Sequence, residues 1–107
     1  MSTLKLHKSG AGKYVILEND STKKKILVSD ERAGFHKEIL RKVILETNEQ
    51  WKCLGGGRIK ITQDNIHIYG YSVDFGTPNE SDVKSIIESN LDSLENKSIT
   101  YSIGEGY

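Results

Sequence analysis

The sequence predicts an α+β fold in which a mixed, mostly antiparallel sheet of about five or six strands carries two helices. Two stretches place apolar residues at intervals of three and four, the spacing of a helix that buries one face. Short β-prone runs, separated by turn residues, surround both stretches. The chain has 107 residues and contains no linker, repeat or low-complexity block, so we assign residues 1–107 to a single domain.

The first elements of the chain form a predicted hairpin. Residues 14–17 and 25–28 are β-prone and flank turn-forming residues 19–21, an arrangement typical of two antiparallel strands. A further strand is a candidate at residues 3–8. Because lysines protect exposed sheet edges from association, the three lysines at positions 23–25 indicate that the second strand of the hairpin lies at an edge.

The first helix is predicted from about Ala33 to about Gln50. Either Asp30 or Gly34 would cap its start, because a short polar side chain or a glycine is favoured at that position. One apolar stripe runs along the helix and would face the sheet. It consists of Phe35, Ile39, Leu40, Val43 and Ile44.

The second half of the chain predicts a hairpin, a helix and a final strand. The hairpin joins residues 51–61 to residues 66–75 through a turn at residues 63–65. The second helix covers residues 81–91, and the last strand covers residues 98–103. The buried side of this helix is predicted to consist of Val83, Ile86 and Ile87.

The balance of charge argues against two classes of binding protein. Lys and Arg total 15, as do Asp and Glu, whereas proteins that bind nucleic acids or anionic membranes rely on surplus positive charge. Cys53 is the only cysteine, and no apolar run resembles a signal peptide or a membrane span. We therefore expect a cytoplasmic monomer that binds neither nucleic acid nor membrane.

His36 is the most informative candidate for chemistry. It lies on the same helical stripe as Leu40 and Val43, where the simplest interpretation is a half-buried histidine satisfied by a neighbour. It also lies in the first turns of the predicted helix, where backbone N–H groups lack intrahelical partners and favour an anion. The N–H groups of His36 and Lys37 are candidate phosphate donors, and the imidazole can change protonation near neutral pH.

The segment Gly55-Gly56-Gly57-Arg58 is a second candidate. Its glycines would let the backbone approach a ligand closely, and the planar guanidinium of Arg58 suits phosphate oxygens. The alternative is a bulged strand with a surface arginine. His7, His36, His67 and Cys53 lack metal-ligand spacing, so we expect no metal site. Cys53 is more consistent with a packed thiol than with a nucleophile.

Several motifs of the chain are characteristic of one known family. They are residues 12–15 (GKYV), 33–36 (AGFH), 53–59 (CLGGGRI), 66–72 (IHIYGYS) and the terminal Gly106-Tyr107. In these motifs the chain resembles the protein phosphohistidine phosphatase (janus) family. The most specific part of the likeness is the pair of segments 53–59 and 66–72 at this separation.

This resemblance implies a metal-independent phosphatase, without a cofactor, that hydrolyses the P–N bond of phosphohistidine in proteins and releases inorganic phosphate. Phospholysine is a further candidate substrate. The resemblance assigns proton abstraction to His36 and substrate binding to Lys13, with Arg58 at the phosphate. It also assigns phosphate binding to the strand-end residues Ser72, Val73 and Asp74.

Two positions depart from the family pattern. Asp74 stands where relatives carry a small neutral residue, and its carboxylate would repel phosphate unless it turned away. Phe35 stands where a tyrosine is common. These departures leave an alternative function, in which the domain binds phosphate without catalysis or acts as a regulatory module.

Overall fold

A computed structural model describes residues 3–32, 34–94 and 97–105 of the chain. The described residues form one six-stranded sheet in the order β1-β3-β2-β4-β5-β6, with two helices. The strands are β1 (Thr3–Lys5), β2 (Gly10–Asn19), β3 (Lys25–Asp30), β4 (Trp51–Ile61), β5 (Asn65–Gly70) and β6 (Ser98–Ile103). The helices are α1 (His36–Thr47) and α2 (Glu80–Glu88), and a short 3-10 helix at Leu91–Leu94 follows α2.

The sheet is mixed and mostly antiparallel, as predicted. Strands β2 and β3 form the first predicted hairpin, and β4 and β5 form the second. The two hairpins join through antiparallel pairing of β2 with β4. Only the outer strands of the described sheet pair in parallel, β1 with β3 and β6 with β5.

Each face of the sheet carries one helix, because apolar side chains alternate along the central strand β2. Val15 and Leu17 face α1 and pack with its buried residues Ile39 and Val43. The intervening Tyr14 and Ile16 face the opposite way and pack with the buried side of α2. That side consists of Val83, Ile86 and Ile87, as predicted from the helical spacing.

Helix α1 is shorter than predicted at both ends. It begins at His36, after Phe35, whose extended backbone provides no side-chain cap. The prediction that Asp30 or Gly34 caps the helix is therefore wrong, and Ala33 lies outside the described residues. Asn48 adopts a left-handed backbone conformation and ends the helix before the predicted Gln50.

Other predicted boundaries also move. Strand β5 ends at Gly70 rather than at residue 75, because the backbone there turns to a φ of +71°. Asn79 caps α2 by accepting a hydrogen bond from the Ser81 N–H, so this helix covers Glu80–Glu88 instead of 81–91. Strand β6 covers the predicted residues 98–103. The candidate first strand is reduced to Thr3–Lys5.

Strand β3 is not the edge strand that its lysines predicted. Parallel pairing with β1 covers its outer side, so β3 has a neighbour on each side. Lys25 instead forms an ion pair with Asp82 of α2 at 3.0 Å, and thereby ties the hairpin to the helix. No helix among the described residues is long and apolar enough to span a membrane.

Candidate functional site

A row of charged residues crosses the α1 face of the sheet. The pairing of β2 with β3 and β4 sets Lys13 between Asp30 and Arg58. Residues paired in this way project from the same face, so the two cations are neighbours. Asp30 lies on the far side of Lys13, where it accepts a hydrogen bond from the Arg32 N–H and pairs with Lys42 at 3.7 Å.

The next row on the same face forms the seat of His36. It pairs Val15 with Gly56 and lies about 7 Å along the strands from the row of Lys13 and Arg58. A Cβ atom on Gly56 would come within 2.9 Å of the His36 Cδ2 and within 2.5 Å of the Tyr14 carbonyl oxygen. Only glycine therefore lets the imidazole pack directly on the sheet.

The imidazole of His36 is held in one orientation. The residue is 3% exposed, and its Nε2 lies 2.9 Å from the carbonyl oxygen of Gly57. Because a carbonyl oxygen can only accept, Nε2 carries the proton and donates it, which leaves Nδ1 with its lone pair. The sequence placed His36 at the helix start but gave no signal that Gly57 is its partner.

The surroundings lower the pKa of His36 from its ordinary value of 6.5. Burial is the main cause, since it disfavours the charged ring, and the cations Lys13 and Arg58 act in the same direction. The hydrogen bond to Gly57 and the carboxylate of Asp74 oppose this shift. The net effect keeps the imidazole neutral at physiological pH.

The buried ring lines a small cleft of about 230 Å³. The lining residues are Lys13, Gly34, Phe35, His36, Val73 and Asp74. This volume is below the range of about 300–1,000 Å³ typical of sites for drug-sized ligands, and it suits a compact group such as a phosphoryl. Larger clefts of about 360, 370 and 430 Å³ lie elsewhere on the surface, but His36 lines none of them.

The loop after β5 supplies the opposite wall of the cleft. Ser72 is buried, and its hydroxyl oxygen accepts a hydrogen bond from the Phe75 N–H at 3.1 Å. Its backbone pairs with Gly76, whose carbonyl oxygen also accepts from the Gly56 N–H of β4. These contacts fix the loop on the sheet. Ser72 thus anchors the loop, while Val73 and Asp74 face the cleft.

The structure brings most of the candidate residues together. His36, Lys13, Val73 and Asp74 line one cleft, and Arg58 lies beside Lys13 on the sheet. Lys37 does not line the cleft. Its ammonium lies over the ring of Phe35, 5.5 Å from the centroid.

The glycine-rich segment contains a β-bulge rather than a phosphate loop. The pairing of β2 with β4 skips Leu54, since Ile16 pairs with Gly55 and Leu17 with Cys53. Burial raises the pKa of the Cys53 thiol to about 11, as is typical of a packed, unreactive cysteine. Among the described residues, no group of three His, Cys, Asp or Glu side chains could hold a metal ion.

Phe35 is the lining residue whose position the sequence misjudged. The helical pattern assigned it to the buried stripe of α1, yet it precedes the helix and is 59% exposed. An apolar side chain four residues before Ile39 fits the helical spacing, so the pattern alone could not exclude it.

Comparison with known families gives one match. The model of the Janus/Ocnus family (Ocnus) matches residues 1–95, a range that includes every residue of the cleft. No curated protein matches the chain.

Proposed function

Because the chain belongs to the Janus/Ocnus family, which includes phosphohistidine phosphatases, we propose that it hydrolyses the P–N bond of phosphohistidine in proteins. Phospholysine is a second candidate substrate. The observation that carries the proposal is the hydrogen bond from His36 Nε2 to the Gly57 carbonyl, within a cleft that Lys13 also lines. This hydrogen bond leaves the Nδ1 lone pair of the neutral imidazole available for proton transfer.

His36 acts as the general base in this proposal. Its Nδ1 takes a proton from a water molecule, the water oxygen bonds to phosphorus, and the P–N bond breaks. The electron pair of that bond stays on the nitrogen of the leaving imidazole, which departs as a neutral group when it has been protonated beforehand. A lowered pKa keeps His36 in the basic form at pH 7, and the proton that it accepts passes to solvent afterwards.

The phosphoryl oxygens need charge neutralisation and positioning more than covalent help. Lys13 and the neighbouring Arg58 provide two positive charges on one side. The backbone N–H groups of His36 and Lys37 lie at the start of α1, where the helix dipole favours an anion. Phosphate contacts from the 72–74 backbone remain a prediction.

A variant of the mechanism makes His36 the nucleophile. Its Nδ1 would attack phosphorus, displace the substrate nitrogen and carry the phosphoryl group until water removes it. Acid-labile phosphate trapped on the wild-type protein, and absent from His36→Ala, would identify this route. Its absence during turnover would favour direct attack by water.

The activity is tested by incubating the protein with a phosphohistidine protein in the presence of a metal chelator. We expect inorganic phosphate to accumulate in proportion to enzyme concentration. Binding without release would favour the alternative, a non-catalytic phosphate-binding or regulatory module. The observation that favours this alternative is the Asp74 carboxylate in the cleft. Neither binding nor release would contradict both functions.

Lys13→Met should chiefly weaken substrate binding, because it removes a charge but keeps the apolar stem of the side chain. We expect KM to rise about tenfold or more, as for the loss of a charge-assisted hydrogen bond, with a smaller change in kcat. Lys60→Met is the matched control, since Lys60 of β4 is exposed on the same face of the sheet as Lys13 and does not line the cleft. An unchanged KM in Lys13→Met would refute the binding role.

A further inference from the structure

The cleft has a buried floor and an exposed mouth. His36 forms part of the floor with 3% of its surface exposed, whereas Val73 is 79% exposed and Asp74 beside it is also exposed. A histidine side chain on a protein substrate enters from solvent, so its attachment to the substrate lies on the side of the mouth. The phosphoryl group that it carries would then point toward His36.

This order of groups determines where the leaving nitrogen lies. In phosphoryl transfer the attacking and leaving atoms lie roughly in line on opposite sides of phosphorus. If His36 activates the water at the floor, the leaving nitrogen is at the mouth, on the side of Asp74. In this arrangement the carboxylate faces the nitrogen of the substrate, and Lys13, with Arg58 beside it, is left to neutralise the oxygens.

Charges of both signs border the cleft, since Lys13 and Asp74 line it and Arg58 lies beside Lys13, and such a lining suits a zwitterion. An N-phosphoryl group reacts in its protonated form. Phosphoramidate and phospholysine then carry the proton on the bonded nitrogen, whereas phosphohistidine carries it on the other ring nitrogen and shares the charge across the imidazolium. In each case a positive charge lies beside the negative oxygens. We infer that Asp74 is a specificity-determining residue that favours N-phosphoryl groups with a positively charged nitrogen over phosphate itself. This inference rests on the proposed function and identifies the class of substrate that the cleft selects.

The same carboxylate should disfavour the product. Inorganic phosphate has an anionic or neutral oxygen at the position where the substrate has a cationic nitrogen, so it gains no attraction from Asp74 and suffers repulsion instead. Release of phosphate would therefore be promoted by the charge that recognises the substrate. A carboxylate in a phosphate-binding cleft is thus compatible with turnover.

Asp74→Asn tests the inference with two probes that differ at one atom. Phosphoramidate has an ammonium nitrogen where inorganic phosphate has an oxygen. In Asp74→Asn we expect kcat/KM for phosphoramidate to fall about tenfold and the inhibition constant of phosphate to fall as well, as for the loss of one charge interaction at short range. Asp20→Asn removes the same charge at the far end of β2, about 23 Å along the strand from Lys13, and should change neither constant.

The opposite effects on the two probes distinguish this role from simpler ones. If Asp74 only repelled anions, Asp74→Asn would raise kcat/KM for phosphoramidate and tighten the binding of phosphate. If the variant were structurally damaged, it would lower kcat/KM and weaken the binding of phosphate. Either result would overturn the inference. Lys13, Arg58, Asp74 and the Gly57 carbonyl all influence the pKa of His36. Rates are therefore compared on the pH plateau of each variant.

The outcome for Asp74 is separate from that for the proposed function. If the wild-type protein hydrolyses neither a phosphohistidine protein nor phosphoramidate, the proposed function fails, and NMR titrations still yield dissociation constants for the two ions. Even in that case, tighter binding of phosphoramidate than of phosphate by the wild-type protein, lost in Asp74→Asn, would support the inference. Equal preferences in the two proteins, or no binding of either ion, would overturn it.

Discussion

Replacing His36 by alanine should lower kcat/KM for a phosphohistidine protein by at least about 100-fold, the lower end of what general base catalysis contributes. The variant removes the Nδ1 lone pair that the bond to Gly57 leaves available. It also leaves the buried Gly57 carbonyl without its imidazole donor, at a cost of about 1–3 kcal/mol of stability. Activity is therefore compared only after circular dichroism and thermal unfolding show a folded protein.

A second variant separates catalysis from folding. His36→Gln keeps an amide N–H that can donate to a carbonyl oxygen but has no basic nitrogen, so it should be nearly as inactive as His36→Ala and more stable. His67→Ala is the control, because His67 lies on β5 outside the cleft and bonds to Thr100. Folded His36 variants with near-normal rates would refute the assignment of His36 as the base.

Gly56→Ala should damage both stability and activity. The added Cβ would lie 2.5 Å from the Tyr14 carbonyl oxygen and 2.9 Å from the His36 ring, so β2 and the imidazole must move. Overpacking of this kind typically costs about 1–3 kcal/mol. A shift of the ring of about 1 Å would misplace the base and lower kcat/KM by up to about 100-fold.

Gly10→Ala provides the matched control for this change. A Cβ on Gly10 meets no atom within 4 Å, so the variant introduces only the backbone strain of a residue with a φ of +84°. It should lose some stability and retain its activity. Denaturant unfolding and kcat/KM are measured for both variants. A Gly56→Ala protein as active as Gly10→Ala would contradict the proposed seat of His36.

Most of the fold could be predicted from local patterns. The buried side of α2 and the bounds of β6 followed directly from the spacing of apolar residues. The start of α1 did not, because Phe35 fits the helical period although its backbone is extended and no side chain caps the helix. The position of β3 inside the sheet depends on parallel pairing with β1, which no local pattern specifies.

The candidate site was predictable as a set of residues rather than as a geometry. The helix start indicated His36, and the family motifs indicated Lys13, Arg58 and Asp74. The tautomer of His36, however, depends on a carbonyl 21 residues away in the chain. The glycine run looked like a ligand loop, yet Gly56 provides space for the imidazole and Gly55 packs against Pro78. Such contacts form only when β4 is paired within the sheet, so no local sequence pattern specifies them.

The protonation of His36 determines whether the proposed chemistry is available. As the pH rises, the ring should lose its proton before the pH reaches 6.5, because its pKa is lowered. A reaction that needs the neutral ring should then gain rate through this range and stay constant at neutral pH. The unfolded chain binds more protons between the two pKa values, so stability should also fall as the pH drops below about 6.5.

Nitrogen-15 NMR of the His36 ring, followed across pH and with added phosphate, tests the central claim most directly. We predict a protonated Nε2 and an unprotonated Nδ1 at pH 7, a midpoint below 6.5, and a shift of the ring signals when phosphate binds. A ring that is charged at pH 7, or protonated on Nδ1, or insensitive to phosphate, would contradict the assignment of this imidazole as the base of a phosphate site.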